Sequence, residues 1–151
     1  FVCRKINPRE GESKYINAPW PKEGTLYQPF ITPVVSRGNI LVICEGAFDA
    51  IRIARVAMSA ALLGKKATTQ QLEKIINLVK YPWNNALKEI KKEIMILLDP
   101  EAFSNAVKLQ LELRAMGEQM GYVSFIKICT LPRGKDPGSS SEKLLKEALG
   151  L

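Results

Sequence analysis

The rhythm of apolar and polar positions changes near residue 38. Before it, apolar residues come in short pieces such as "FVCRKI" and "SKYINA". These are interrupted by Pro8, Pro19, Pro21, Pro29 and Pro33, with Gly11 and Gly24 between them. Such pieces fit a β-hairpin or two edge strands joined by the turn "NPREGE". The expectation is a small β-rich N-terminal lobe over residues 1–37. After it, apolar runs alternate with helical spacing. "ILVIC" (40–44) is an unbroken β-branched run, as expected of a strand covered on both faces. "AALLG" (60–64), "IMILL" (94–98) and "VSFIKIC" (123–129) read as three further strands. Helical spacing marks "FDAIRIARVA" (48–57) and "TTQQLEKIINLVK" (68–80), the latter capped by Thr68 or Thr69. It also marks "EAFSNAVKLQLELRAMG" (101–117), closed by Gly117, and "EKLLKEAL" (142–149). This order predicts an α/β domain over residues 38–151, with a mainly parallel four-stranded sheet flanked by helices.

A parallel sheet sends every strand's C-terminal end to one edge, and ligands of open α/β sheets bind at that edge. The acids gather there. Glu45 immediately follows "ILVIC", and Asp49 lies one helical turn further on. Asp99 immediately follows "IMILL", with Glu101 two residues later, and Asp136 lies in the loop after "VSFIKIC". Carboxylates held that close disfavour one another's ionisation, and a divalent cation resolves the conflict. All-oxygen ligation suits Mg²⁺ or Mn²⁺ rather than zinc. Each acid also has a structural reading. Asp99-Pro100-Glu101 fits a helix start with an N1 proline, Glu45 and Asp49 fit a helix start after a turn, and Asp136 before Pro137 fits a turn.

Composition narrows the chemistry. The 151 residues contain no histidine, which removes Ser-His-Asp and Cys-His catalysis. The three cysteines, Cys3, Cys44 and Cys129, sit far apart in apolar runs and do not make a standard zinc site. They read as buried reduced thiols of a cytoplasmic protein. No apolar run approaches the ~20 residues a membrane span needs, so no membrane partner is expected. No signal peptide is expected ahead of the first element. The opening on "FVCRKI" without Met reads as a piece of a longer protein. Lys and Arg exceed Asp and Glu by 22 − 15 = 7, a balance that favours encounter with polyanions.

The segments resemble the Toprim domains, and within them the bacterial and phage DNA primases. "LVICEGAFDAIRIA" is similar to the first Toprim motif, an apolar strand followed by E-G-x-x-D-[AV]. "SAALLGKKATTQQLEKI" resembles the primase stretch A-x-L-G-T-x-x-T-x-x-Q, and "LLDPEAFSNAVKLQ" sits where the family has D-G-D-x-A-G. "LPRGKDPGSSSEKLL" resembles L-P-x-G-x-D-P-D-x-x, which is typical of primases rather than topoisomerases. Upstream, "SKYINAP" and "KEGTLYQPF" resemble P-K-Y-L-N-S-P and K-G-x-x-L-Y-x-x. The motifs follow in order over nearly the whole chain.

The resemblance implies a primase core that uses Mg²⁺ or Mn²⁺ to join ribonucleoside triphosphates on a single-stranded DNA template. A replicative helicase, separate or fused, would be a further partner. It implies that Glu45, Asp99 and Glu101 are catalytic and that Asp49 and Asp136 complete the metal-binding set. It also implies that Arg4, Lys14, Tyr15, Asn17 and Lys22 of the N-terminal lobe contact template or nucleotide. Lys65, in place of the usual small polar residue, and Lys135 would add phosphate contacts. The second acidic motif departs from the pattern. Pro100 replaces a glycine, Glu101 replaces the second aspartate, and Phe103-Ser104 replaces Ala-Gly. A divergent phage primase fits these changes. Two alternatives are a Toprim nuclease or topoisomerase-like enzyme, and a non-catalytic Toprim module that binds single strands or a helicase.

Overall fold

A computed structural model describes residues 2–4, 9–10, 15–17, 25–28, 40–80, 93–122 and 125–151. Strands β1 (Val2–Arg4) and β2 (Tyr15–Asn17) pair antiparallel, with Cys3 opposite Ile16. The rest of the expected lobe over 1–37, including its boundary, falls largely outside these residues.

The main sheet is built from β3 (Ile40–Cys44), β4 (Met58–Ala61), β5 (Glu93–Ile96) and β6 (Ile126–Ile128). Its order is β4-β3-β5-β6, and every neighbouring pair is parallel. β3 is sealed on both faces, which is why "ILVIC" contains no polar position. Leu41 and Ile43 join one apolar cluster, and Val42 and Cys44 join the other. The first cluster is covered by α2 (Thr69–Lys80) and α3 (Phe103–Gln119). The second is covered by α1 (Ala47–Ile53) and α4 (Glu142–Leu149). α4 has the span read from the sequence, capped by the Ser141 hydroxyl, which accepts from the Leu144 N–H at 3.2 Å.

Other elements differ from their sequence reading for local reasons. α1 stops at Ile53, not at residue 57. The next residues turn, with the Val56 N–H bonded to the Ile53 carbonyl at 2.8 Å. Val56 and Ala57 keep the helical apolar spacing because the turn itself is buried. β4 accordingly runs over 58–61 rather than 60–64. Leu62 still donates to Cys44 O at 3.0 Å, and then Leu63 enters the left-handed region, with φ 58°, and ends the strand. The helix read over 101–117 opens as a 3₁₀ turn, Pro100–Ala102, closed by Ala102 N–H to Asp99 O at 2.8 Å.

Gly117 does not close α3, which continues to Gln119. It is the point where the chain folds back over the helix. The Tyr122 N–H bonds Gly117 O at 2.8 Å, and a Cβ at this position would lie 2.5 Å from Tyr122 O. Lys80 Nζ, bonded to Met120 O at 2.8 Å, ties α2 to the same end.

Thr68 is the cap of α2, and it works reciprocally with Gln71. The Gln71 N–H donates to Thr68 Oγ1 at 3.2 Å, and the Thr68 N–H donates to Gln71 Oε1 at 2.9 Å. The amide nitrogen of Gln71, itself buried, donates to Leu62 O at 2.9 Å and to Thr25 O at 2.6 Å. Beside it, Tyr27 and Ala61 exchange backbone hydrogen bonds of 3.1 and 2.8 Å. Residues 25–28 therefore lie on the outer edge of β4, and one side chain joins that segment, the β4 loop and the start of α2. Truncating Gln71 to Ala removes its hydrogen bonds to three backbone groups, the Thr68 N–H, Leu62 O and Thr25 O. The expected loss is about 2–3 kcal/mol, seen as a lower denaturation midpoint at unchanged slope in urea.

Candidate functional site

The strand order places the topological switch point between β3 and β5. From β3 the chain passes outward to β4, and from β5 it passes the other way to β6. The helices that follow these two central strands leave on opposite faces, α1 to one and α3 to the other. In open parallel sheets this topology sets the ligand crevice at the C-terminal edge, between those two strands. Glu45 stands at the end of β3, and Asp99 follows β5. Both are half-buried.

Burial first, and then the charge of Asp99, push the Glu45 carboxyl above its ordinary range, while the nearby Lys65 cation pulls it back. Glu45 Oε2 is buried and has no hydrogen-bond partner. An ionised oxygen in that position is costly unless something positive meets it.

Asp49 is supported differently. It reaches back to accept the N–H of Gly46 at 3.0 Å, the acidic half of a capping arrangement at the α1 N-terminus. It also accepts the backbone N–H of Gly138. Burial raises the Asp49 carboxyl to about 6, with the charges of Asp99 and Asp136 adding to the rise and the two backbone donors opposing it. Gly138 is required at its position. A Cβ there would stand 2.9 Å from Asp49 Oδ1 and 3.3 Å from Asp136 Oδ1.

Asp136 caps the 3₁₀ turn Pro137–Ser139. Its carboxylate accepts the Ser139 N–H and the Ser139 hydroxyl, each at 2.8 Å. That turn packs against α1, and Arg52 Nε fastens it by donating to Ser140 O at 2.8 Å. The stretch "KDPGSS" is thus bound to the helix that follows Glu45.

The structure brings together the charges of Glu45, Asp49, Asp99 and Asp136 and sets Lys65 near Glu45. Glu101 is exposed on the 3₁₀ turn, and its charge is not among those acting on Glu45 or Asp49. Lys65 and Lys135 are exposed in the loops after β4 and β6, at the same sheet edge. Arg4 and Tyr15 face each other in the β1–β2 ladder, and Asn17 opposes Val2. Lys14 and Lys22 lie outside the described residues. Sequence reasoning missed Gly138 and Arg52, whose roles arise from a turn meeting a distant helix, Arg52 and Ser140 being 88 residues apart.

All the acids offer oxygen donors, which suits a hard divalent ion. Among the described residues, no three acidic or thiol groups converge into a preformed metal site. Mg²⁺ is ordinarily held by one or two carboxylates together with water and substrate phosphates. The unpartnered Glu45 Oε2 and the neighbouring Asp99 fit that manner of binding. Cys44, behind them, is a free buried thiol pushed well above its ordinary pKa, chiefly by burial. Cys129 is likewise free and buried.

No protein family, curated protein or solved structure matches the chain. Among the described residues, no helix is long and apolar enough to cross a membrane.

The Asp49 carboxyl gives the site a pH signature. Its folded pKa lies above its unfolded one, so the folded state binds more protons between the two values. Its contribution to stability is complete below the unfolded pKa and is lost as pH rises through about 6. Denaturant titrations across that window are expected to show Asp49→Asn losing less stability than the wild type as pH rises.

Proposed function

We propose that the chain is the catalytic core of a Toprim-type DNA primase, which makes short RNA primers on single-stranded DNA. The observation that carries this reading is the pair of carboxylates, Glu45 and Asp99, at the crevice between β3 and β5. One of their oxygens is buried and unpartnered. The motif order supports it as well, since "EGAFD", "DPEA" and "LPRGKDPG" all follow strands of one parallel sheet.

In this reading Glu45 and Asp99 hold a Mg²⁺ or Mn²⁺ ion, with Glu101 and Asp136 nearby. The ion's chemistry is charge neutralisation on a triphosphate and activation of a 3′-hydroxyl. Glu45, at the end of the central strand, would be the carboxylate nearest the reacting groups, where a proton leaves the 3′-hydroxyl. Asp49 is a positioning residue, because its hydrogen bonds fasten the Glu45 loop to the Gly138 turn. Lys65 and Lys135 supply cations where phosphates enter, and Arg4, Lys14, Tyr15, Asn17 and Lys22 contact the template strand. A replicative helicase and a cytoplasmic location belong to the same reading.

One observation favours a second reading. Asp49 and Asp136 are engaged by backbone groups. A domain whose acids are committed to its own backbone fits a non-catalytic Toprim module that binds single-stranded DNA or docks a helicase.

The two readings separate in one assay of the full-length protein with template, ribonucleotides and Mg²⁺. A primase yields short oligoribonucleotides, and Glu45→Gln lowers the yield at least about 100-fold while circular dichroism and template binding persist. Template binding without any product, across Mg²⁺ and Mn²⁺, would leave the binding module as the function.

A further inference from the structure

Glu45 has a cation nearby that the neighbouring strand delivers. β4 lies beside β3 with Ala61 opposite Cys44, so Leu62 and Glu45 leave the sheet side by side. The Leu62 N–H bonds Cys44 O at 3.0 Å, which fixes the root of the following loop next to the carboxylate. Leu63 then turns the chain, with φ 58°, and a Cβ at Gly64 would meet no atom within 4 Å. The backbone beyond the turn is uncrowded, and Lys65 extends from it on a flexible four-carbon stem. Lys65 and Lys66 are both exposed, and neither makes an ion pair or hydrogen bond among the described residues. Of the two, Lys65 is the one whose charge acts on Glu45.

The acids of the same edge are poorly disposed to hold two metal ions. Two-metal sites keep their ions roughly 4 Å apart and need enough ligands to clamp both. Among the described residues no three acidic or thiol groups converge, and Asp49 and Asp136 each accept backbone N–H groups. Glu45 nevertheless has a buried oxygen that no donor meets. A lysine beside it supplies positive charge there, and the same charge repels a second ion. An ammonium also donates charge-assisted hydrogen bonds to phosphate oxygens.

We propose that the crevice is a one-ion site, in which the Lys65 ammonium takes the second cationic position and bridges Glu45 to the triphosphate of a nucleotide. This rests on the reading that Glu45 and Asp99 hold a divalent ion. Lys65 then sets both the number of ions and the grip on the triphosphate.

Mn²⁺ titration of the full-length protein, with the free ion counted by electron paramagnetic resonance, tests it. The wild type is expected to bind one Mn²⁺ per chain at the crevice, weakened at least about tenfold by Glu45→Gln. Lys65→Gln should tighten that ion about three- to tenfold by removing a like charge, and should admit a second ion at higher Mn²⁺. The same variant should bind ATP about tenfold more weakly when Mn²⁺ is present. Lys65→Arg should keep the wild-type behaviour toward both, and Lys66→Gln, one residue along, should leave the ion unaffected. Two ions in the wild-type crevice overturn the proposal while leaving the metal reading intact. So does a Lys65→Gln protein whose Mn²⁺ affinity equals that of the wild type. Mn²⁺ binding that is indifferent to both Glu45→Gln and Asp99→Asn overturns the metal reading, and the proposal with it. Lys65 and Lys66 are exposed, so circular dichroism is expected to show unaltered folding.

Discussion

The structure depends on one constraint, the burial of β3 on both faces. Leu41 and Ile43 serve one core and Val42 and Cys44 the other, so no position along the strand can carry a charge. A fully buried carboxylate costs several kcal/mol unless it is paired, which leaves the strand's end as the nearest place for an acid. Glu45 occupies that place. Parallel pairing with β4 and β5 then brings the ends of three strands to the same edge, and the helices after β3 and β5 depart on opposite faces. The site is thus a consequence of how the sheet is covered.

That location is expensive, and the surrounding chain offsets the cost unevenly. Asp49 has backbone donors on two sides, from Gly46 and from Gly138, and Asp136 is satisfied within its own turn. These two acids fasten the loop after β6 to the helix after β3, and Arg52 strengthens the same seam. Glu45 has no equivalent support for Oε2. The contrast separates acids held by backbone donors from an acid with one buried oxygen that no donor meets. Leu63 adds strain nearby. Its left-handed backbone ends β4 and turns the chain into the loop that carries Lys65, the cation acting on Glu45. Non-glycine residues held in that region are often found where function requires a particular backbone path.

Much of this was legible because burial writes itself into sequence. The unbroken run "ILVIC" stated a two-face strand, and the helical spacing of "TTQQLEKIINLVK" and "EKLLKEAL" stated helices, the first opening at Thr68. The parallel sheet and the shared edge for Glu45, Asp99 and Asp136 followed from that pattern. Boundaries failed where tertiary burial imitates helical spacing, as at Val56 and Ala57, which are apolar because a turn is covered. Gly117 misled for the opposite reason. A glycine near a helix end reads as a terminator, whereas here it admits the Tyr122 carbonyl against the helix. The Gly138–Asp49 contact could not be read at all, since it depends on the docking of two distant loops. The 3₁₀ turn that carries Glu101 was likewise read as the first turn of a regular helix.

Asp99 shows how a structural role and a chemical one divide within a single residue. It stands at the N-cap of the turn Pro100–Ala102, with proline at the first position, as a helix-start reading requires. Yet its side chain makes no capping hydrogen bond, and the turn is closed by its backbone carbonyl instead. Proline supplies the fixed φ that begins the turn and brings no N–H that would need a cap. The turn is thus closed without a cap from the carboxylate, and its charge is felt at Glu45, Asp49 and Cys44. A residue kept for capping would show the reverse, a carboxylate bound to its own turn, as Asp136 is. Position at the strand end, rather than capping, sets where the Asp99 charge acts.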